Sequence, residues 1–142
     1  MRRALDLANE AAGKGEVPVG AVITHGTTLI AEAYNQVERN GQATHHAEIL
    51  ALSAASQKLG QKYLRQCTLW VTLEPCPMCA GAIAQAKVGA LIFAASDPKS
   101  GGVLFGPQIF DQPTCHHRPE VTSGIGAGEA EALLSAFFTA LR

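Results

Sequence analysis

Long apolar runs are the first thing missing from this sequence. No stretch reaches the roughly eighteen uninterrupted apolar residues that a membrane-crossing helix needs, so no helical span is expected. The opening residues, Met1-Arg2-Arg3-Ala4-Leu5-Asp6, also lack the unbroken apolar segment of a secretory signal. Charge is scarce as well. Charged residues make up 16% of the chain and sum to a net −1. That balance gives no sign of a general nucleic-acid binder, which carries a surplus of cations. Lys58, Lys62 and Arg65 cluster, and Lys99 and Arg118 stand in later loops; taken singly they read as solvated surface charges. Cysteine occurs only four times, and two of the four share one Cys-x-x-Cys. That arrangement suits metal or redox chemistry in a reducing compartment better than a disulfide framework, and a cytoplasmic location is expected. What the chain does have is apolar content, 47% of 142 residues. This is enough for a sizeable core. No repeat, low-complexity block or long linker interrupts it, so residues 1–142 are read as one domain.

Hydrophobic periodicity lays out the elements. Ala4, Leu5, Ala8, Ala11 and Ala12 recur at helical spacing, which predicts a helix over Arg2–Ala12 stopped by Gly13 and Gly15. Val19–Thr24 and Thr28–Tyr34 read as two strands of a hairpin turning at His25-Gly26. A polar loop is expected from Asn35 to Thr44. His45–Leu59 reads as a helix with Ile49, Leu50, Leu52 and Ala55 on its core face, ended by Gly60. Thr68–Leu73 is a strand, Glu74-Pro75 a corner, and Pro77–Lys87 a helix with proline in its first turn. Val88–Ala95 contains another strand. Ser96–Pro119 is irregular, with one helical turn near Gln108. Glu120–Ser123 is a short strand, and Ala127–Leu141 a closing helix whose apolar face includes Leu133, Leu134, Phe137, Phe138 and Leu141. Strands alternating with helices give an α/β protein with helices packed on a central sheet.

Two short motifs carry chemistry. His46-Ala47-Glu48 opens one helix, and Glu74-Pro75-Cys76-Pro77-Met78-Cys79 runs from a strand end into another. Cys76 and Cys79 are three apart, so one helical turn brings both sulfurs to the same side. At a helix start the dipole and free N–H groups favour the thiolate, the form that binds zinc. His46 adds a nitrogen donor. Three protein ligands leave a fourth tetrahedral position for water, the mark of a catalytic rather than a structural site. Glu48 is then free to move protons. There is a geometric condition: residues two apart in a regular helix point about 200° apart. His46 and Glu48 converge only if His46 sits at the helix boundary, with Thr44 upstream as a cap.

Cys-x-x-Cys alone is shared by redox pairs and zinc ribbons. A thioredoxin-like reading leaves His46 and Glu48 unexplained. A four-ligand structural site needs one more donor from Cys67, Cys115 or His116. Cys67 reads as a core residue, Cys115 as a loop thiol and His45 as a solvated neighbour. Gly124-Ile125-Gly126-Ala127-Gly128 has the wrong spacing for a dinucleotide loop and reads as a turn into a helix. His-x-Glu together with Pro-Cys-x-x-Cys matches the known signature of zinc-dependent nucleobase deaminases.

The flanking segments narrow the match. Gly15-Glu16-Val17-Pro18-Val19-Gly20-Ala21-Val22, Asn35, His46-Ala47-Glu48-Ile49, Val71 to Ala82, Asp97-Pro98-Lys99-Ser100-Gly101, His117-Arg118 and the Leu133-Leu134 and Phe137-Phe138 pairs resemble the bacterial tRNA-specific adenosine deaminases. The resemblance implies the cytidine deaminase-like fold, a three-layer α/β/α sandwich with a five-stranded mixed sheet. It implies hydrolysis of adenosine to inosine at the wobble position of a tRNA anticodon, by a homodimer with one Zn²⁺ per chain on His46, Cys76 and Cys79. Glu48 is then the catalytic proton carrier. Asn35 hydrogen-bonds the nucleoside, Val17 packs on the base, Ala47 belongs to the substrate-contacting set, and the loop around Asp97 and Lys99 borders the RNA. The chain departs from the family's usual residues at His116 and Pro119. Two other readings use the same motifs: a deaminase of a free base or nucleoside such as guanine or cytosine, and a non-catalytic zinc-binding subunit.

Overall fold

The computed structural model describes residues 1–142. Five strands form one sheet: β1 (Gly20–His25), β2 (Thr28–Tyr34), β3 (Cys67–Leu73), β4 (Ala90–Ala95) and β5 (Glu120–Ser123). Their spatial order is β2-β1-β3-β4-β5. β1 runs antiparallel to β2 and to β3, whereas β3, β4 and β5 are parallel. Helices α1 (Arg2–Gly13) and α5 (Ala127–Ala140) cover one face. Helices α3 (Ala47–Leu59) and α4 (Pro77–Gln85) cover the other, and the short α2 (Val37–Asn40) follows β2. The structure is therefore the three-layer α/β/α sandwich with a five-stranded mixed sheet that the resemblance implies. No helix is long and apolar enough to cross a membrane.

The period of two in the strands decides which side chain meets which layer. Ala21 and Ile23 of β1, Leu69 and Val71 of β3, and Leu91 and Phe93 of β4 join Ala51, Ala55 and Ile83 in the main core under α3 and α4. On the opposite face Val22 meets Ala4 and Leu7 of α1, and Ala94 meets Leu5 and Ala130. Helix α1 lies so close to the sheet that a Cβ on Gly20 would stand 2.0 Å from the Ala4 carbonyl oxygen and 2.8 Å from the Ala8 nitrogen.

Three expectations need correction. The polar segment Asn35–Thr44 contains a helical turn, α2, held because the Glu16 carboxylate accepts the N–H groups of Glu38 and Arg39. The core face of α3 is Ala47, Ala51, Leu52 and Ala55, with Glu48 buried among them. Ile49 and Leu50 are only half-buried. Small residues at i, i+4 and i+8 let this helix sit close over the sheet, and the larger side chains are turned aside. The apolar face of α5 does not close the core. Only Ala130 is buried, and Leu141 is 69% exposed.

Gly20→Ala is expected to destabilise the protein by about 3 kcal/mol, because backbone must move to admit the methyl group. Gly81→Ala, inside α4 with nothing within 4 Å of the new atom, should add about 0.5–1 kcal/mol from the better helix propensity. Urea denaturation of the two variants measures both, and equal stabilities would contradict the close α1–β1 approach.

Candidate active site

Both metal-donor segments enter their helices the same way. His46 is the N-cap of α3 with φ −68 and ψ 153, and Cys76 is the N-cap of α4 with φ −68 and ψ 171. Both residues are extended, outside the regular turns, so their side chains lean back over the helix starts. The condition on His46 is thus met, although by His46 itself as cap and with no side-chain cap from Thr44. Cys79 follows one turn into α4 and is fully buried. His46 Nδ1 lies 3.6 Å from Cys76 Sγ and 3.5 Å from Cys79 Sγ. All three donor atoms fall within 4.8 Å of one another, and no fourth His, Cys, Asp or Glu joins them. Cys67 is in the main core, Cys115 is half-buried in its loop, and His45 bonds Asn40.

The donor set fits a metal ion. A tetrahedral zinc about 2.3 Å from sulfur and about 2.0 Å from nitrogen holds an S···N pair about 3.5 Å apart, the spacing found here. Thiolate and imidazole donors also suit zinc rather than magnesium or calcium. The electrostatics agree. The Cys76 thiol is lowered to about 4, first by the hydrogen bond from Cys79 and then by that from His46. Cys79, as donor to that thiolate and buried, is pushed far up. The Cys76 hydrogen bond raises the His46 imidazole, and burial raises the Glu48 carboxyl. Two thiols thus share one proton in a cluster that an added cation would relieve.

A cavity of about 780 Å³ opens onto this cluster, within the roughly 300–1,000 Å³ usual for small-molecule sites. His46, Glu48 and Cys76 line it, and so do Val17 and Asn35 of the substrate set. Asp97 lines it too, its Oδ1 accepting the N–H groups of Lys99 and Ser100. Ala47 is completely buried, Lys99 is exposed, and neither borders the cavity. Phe137, Phe138 and Leu141 of α5 form another wall, which is why that apolar stripe is left out of the core. Two further wall residues, Glu16 and Glu74, went unassigned in the sequence reading. They are 1% and 2% exposed. A lone acid one or two residues before a proline, Pro18 or Pro75, was their only signal.

The MafB19-like deaminase family matches residues 1–142. The chain belongs to that deaminase family. The tRNA-specific adenosine deaminase of Agrobacterium fabrum is 44% identical to this deaminase over 97% of the chain and 91% of the relative. The tRNA-specific adenosine deaminase of Bacillus subtilis is 42% identical over 100% and 88%. A solved structure from a study of A-to-I editing by tRNA:A34 deaminases superposes with a TM-score of 0.93 at 43% identity, covering 94% of this chain and 97% of that one. The guanine deaminase of Nitrosomonas europaea superposes at 0.83 with 27% identity, covering 97% and 82%. The resemblance read from the motifs is borne out.

Elemental analysis of this deaminase should find about one metal ion per chain, as one three-donor site requires. Cys76→Ala and His46→Ala should lose the ion, and Cys67→Ala should keep it. Loss on Cys67→Ala with retention on Cys76→Ala would reverse the assignment.

Proposed function

We propose that this deaminase converts adenosine to inosine at the wobble position of a tRNA anticodon, with one zinc ion held by His46, Cys76 and Cys79. One observation carries the reading. The three-donor cluster stands beside a cavity that His46, Cys76 and the buried Glu48 line, in a chain 42–44% identical over nearly its full length to tRNA-specific adenosine deaminases. When bound, zinc would supply the Lewis acidity that makes water nucleophilic near neutral pH.

The remaining steps belong to the chain's own side chains. Glu48 accepts a proton as water adds to the ring carbon bearing the amine. It delivers that proton to the ring nitrogen, then carries the second proton, from the newly added hydroxyl, to the amine as the carbon–nitrogen bond breaks, so water and adenosine give inosine and ammonia. Burial suits this role, because it brings a carboxyl group towards the neutral pH at which it must both take and give a proton. Asn35, nine-tenths buried in the wall, orients the nucleoside through its amide. Val17 supplies an apolar surface for the base. Ala47, with its side chain buried, makes contact through its backbone in the first turn of α3. Asp97 and Lys99 border the RNA at the mouth, where the exposed lysine neutralises phosphate.

The chain works as one domain, in the cytoplasm, as a homodimer. Leu104 and Phe105, 44% and 39% exposed, supply apolar surface for such an interface. Sedimentation velocity should give a particle of twice the 14.9 kDa chain mass, and Phe105→Arg should shift it to the monomer.

Anticodon stem-loops assayed beside free guanine, cytosine and cytidine test the substrate. Inosine at the wobble position is expected. Turnover of free guanine alone would favour the chemistry of the Nitrosomonas europaea neighbour and overturn the tRNA reading. Glu48→Ala should keep the metal and lower kcat at least about a hundredfold, the usual contribution of a general acid–base. Unchanged turnover would remove Glu48 from the mechanism, and no turnover in the unaltered chain would point to a non-catalytic subunit.

A further inference from the structure

Glu74 is a buried carboxylate with no cation. None of the five ion pairs includes it. Its charge is met instead by four backbone N–H groups of one loop. Oε1 accepts from Asp97 at 3.0 Å. Oε2 accepts from Val103, Leu104 and Phe105 at 3.2, 3.0 and 3.2 Å. The loop is shaped to reach it. A Cβ on Gly101 would stand 2.3 Å from Oε2, so a residue without a side chain lets the backbone close around the carboxylate. The Gly102 N–H donates to the Pro75 carbonyl at 2.8 Å, tying the same loop to the residue before Cys76. Asp97 and Ser100 of this loop line the cavity.

We infer that Glu74 is a positioning residue: it fixes the 97–105 loop as one wall of the substrate pocket and sets that wall's distance from the metal-donor turn. The inference rests on the reading of this cavity as the substrate site. The chemistry follows from hydrogen-bond polarity. A carboxylate presents acceptors on both oxygens, and here both are used. An amide presents one acceptor and one donor, so Glu74→Gln sets an NH₂ group against one or three N–H groups and pushes the loop away. The donor cluster and Glu48 come from α3 and α4, not from this loop. Loss of Glu74 therefore weakens substrate binding and spares the chemical step.

The test compares Glu74→Gln with Gly101→Ala, which disturbs the same contact from the loop side and leaves the glutamate in place. Both proteins should retain about one metal ion per chain and keep kcat within about threefold. KM for an anticodon stem-loop should rise roughly ten- to a hundredfold, the range for losing a hydrogen bond to a charged group. Without substrate, amide exchange at Val103, Leu104 and Phe105 should quicken in both. Unchanged exchange and KM would overturn the proposal. So would a fall in kcat at constant KM, or loss of the metal, since either would place the effect at Cys76. If the unaltered protein deaminates no stem-loop, the functional reading fails, and the exchange rates still decide whether Glu74 holds the loop.

Discussion

The site depends on two helices beginning at the same place. His46 and Cys76 are both N-cap residues with extended backbone, and α3 and α4 share one face of the sheet. An N-cap side chain is not committed to a helical face, so each can turn towards the other helix. This is how residues far apart in sequence come to 3.6 Å. It also resolves the opposition between His46 and Glu48. The histidine stands outside the helical phase, and the glutamate, in the first turn, is carried inward. The same boundary that frees the histidine buries the carboxyl group.

Burial then sets the chemistry of every group at the cluster. Cys76 and Cys79 have the same side chain three residues apart, and their thiols move in opposite directions because one donates to the other. An ion held between them would favour the deprotonated form of both. Glu48 is deprived of water and holds its proton more strongly than a solvated acid does. By contrast, Glu16 and Glu74 are as deeply buried and are met by backbone N–H groups, two and four respectively. Three buried glutamates thus divide into one proposed as the proton carrier and two that hold chain segments through backbone N–H groups. What separates them is the number of donors each carboxylate faces.

Much of this was legible in the sequence. Apolar periodicity located all five strands and the four longer helices, with ends displaced by one or two residues. Thr28–Tyr34 and Glu120–Ser123 agree with β2 and β5 to the residue. The His46, Cys76 and Cys79 cluster, which could hold a metal, and the neighbouring Glu48 were legible because such a set leaves local traces: two thiols one helical turn apart, and a histidine and an acid at another helix start. The α5 stripe misled, because periodicity reports that a face is apolar and not what it faces. In this fold it meets a cavity rather than the sheet. The short α2 was missed because its stabilising partner, Glu16, is some twenty residues away in the chain.

The sequence by itself determined the class of fold and marked His46, Glu48, Cys76 and Cys79 as candidates, because periodicity and the two short motifs are local patterns. Only the tertiary structure decided which side chains wall the cavity, which way the last helix faces, and what Glu74 does. Those depend on contacts between segments distant in the chain. A carboxylate that binds four N–H groups more than twenty residues away leaves no local pattern to read.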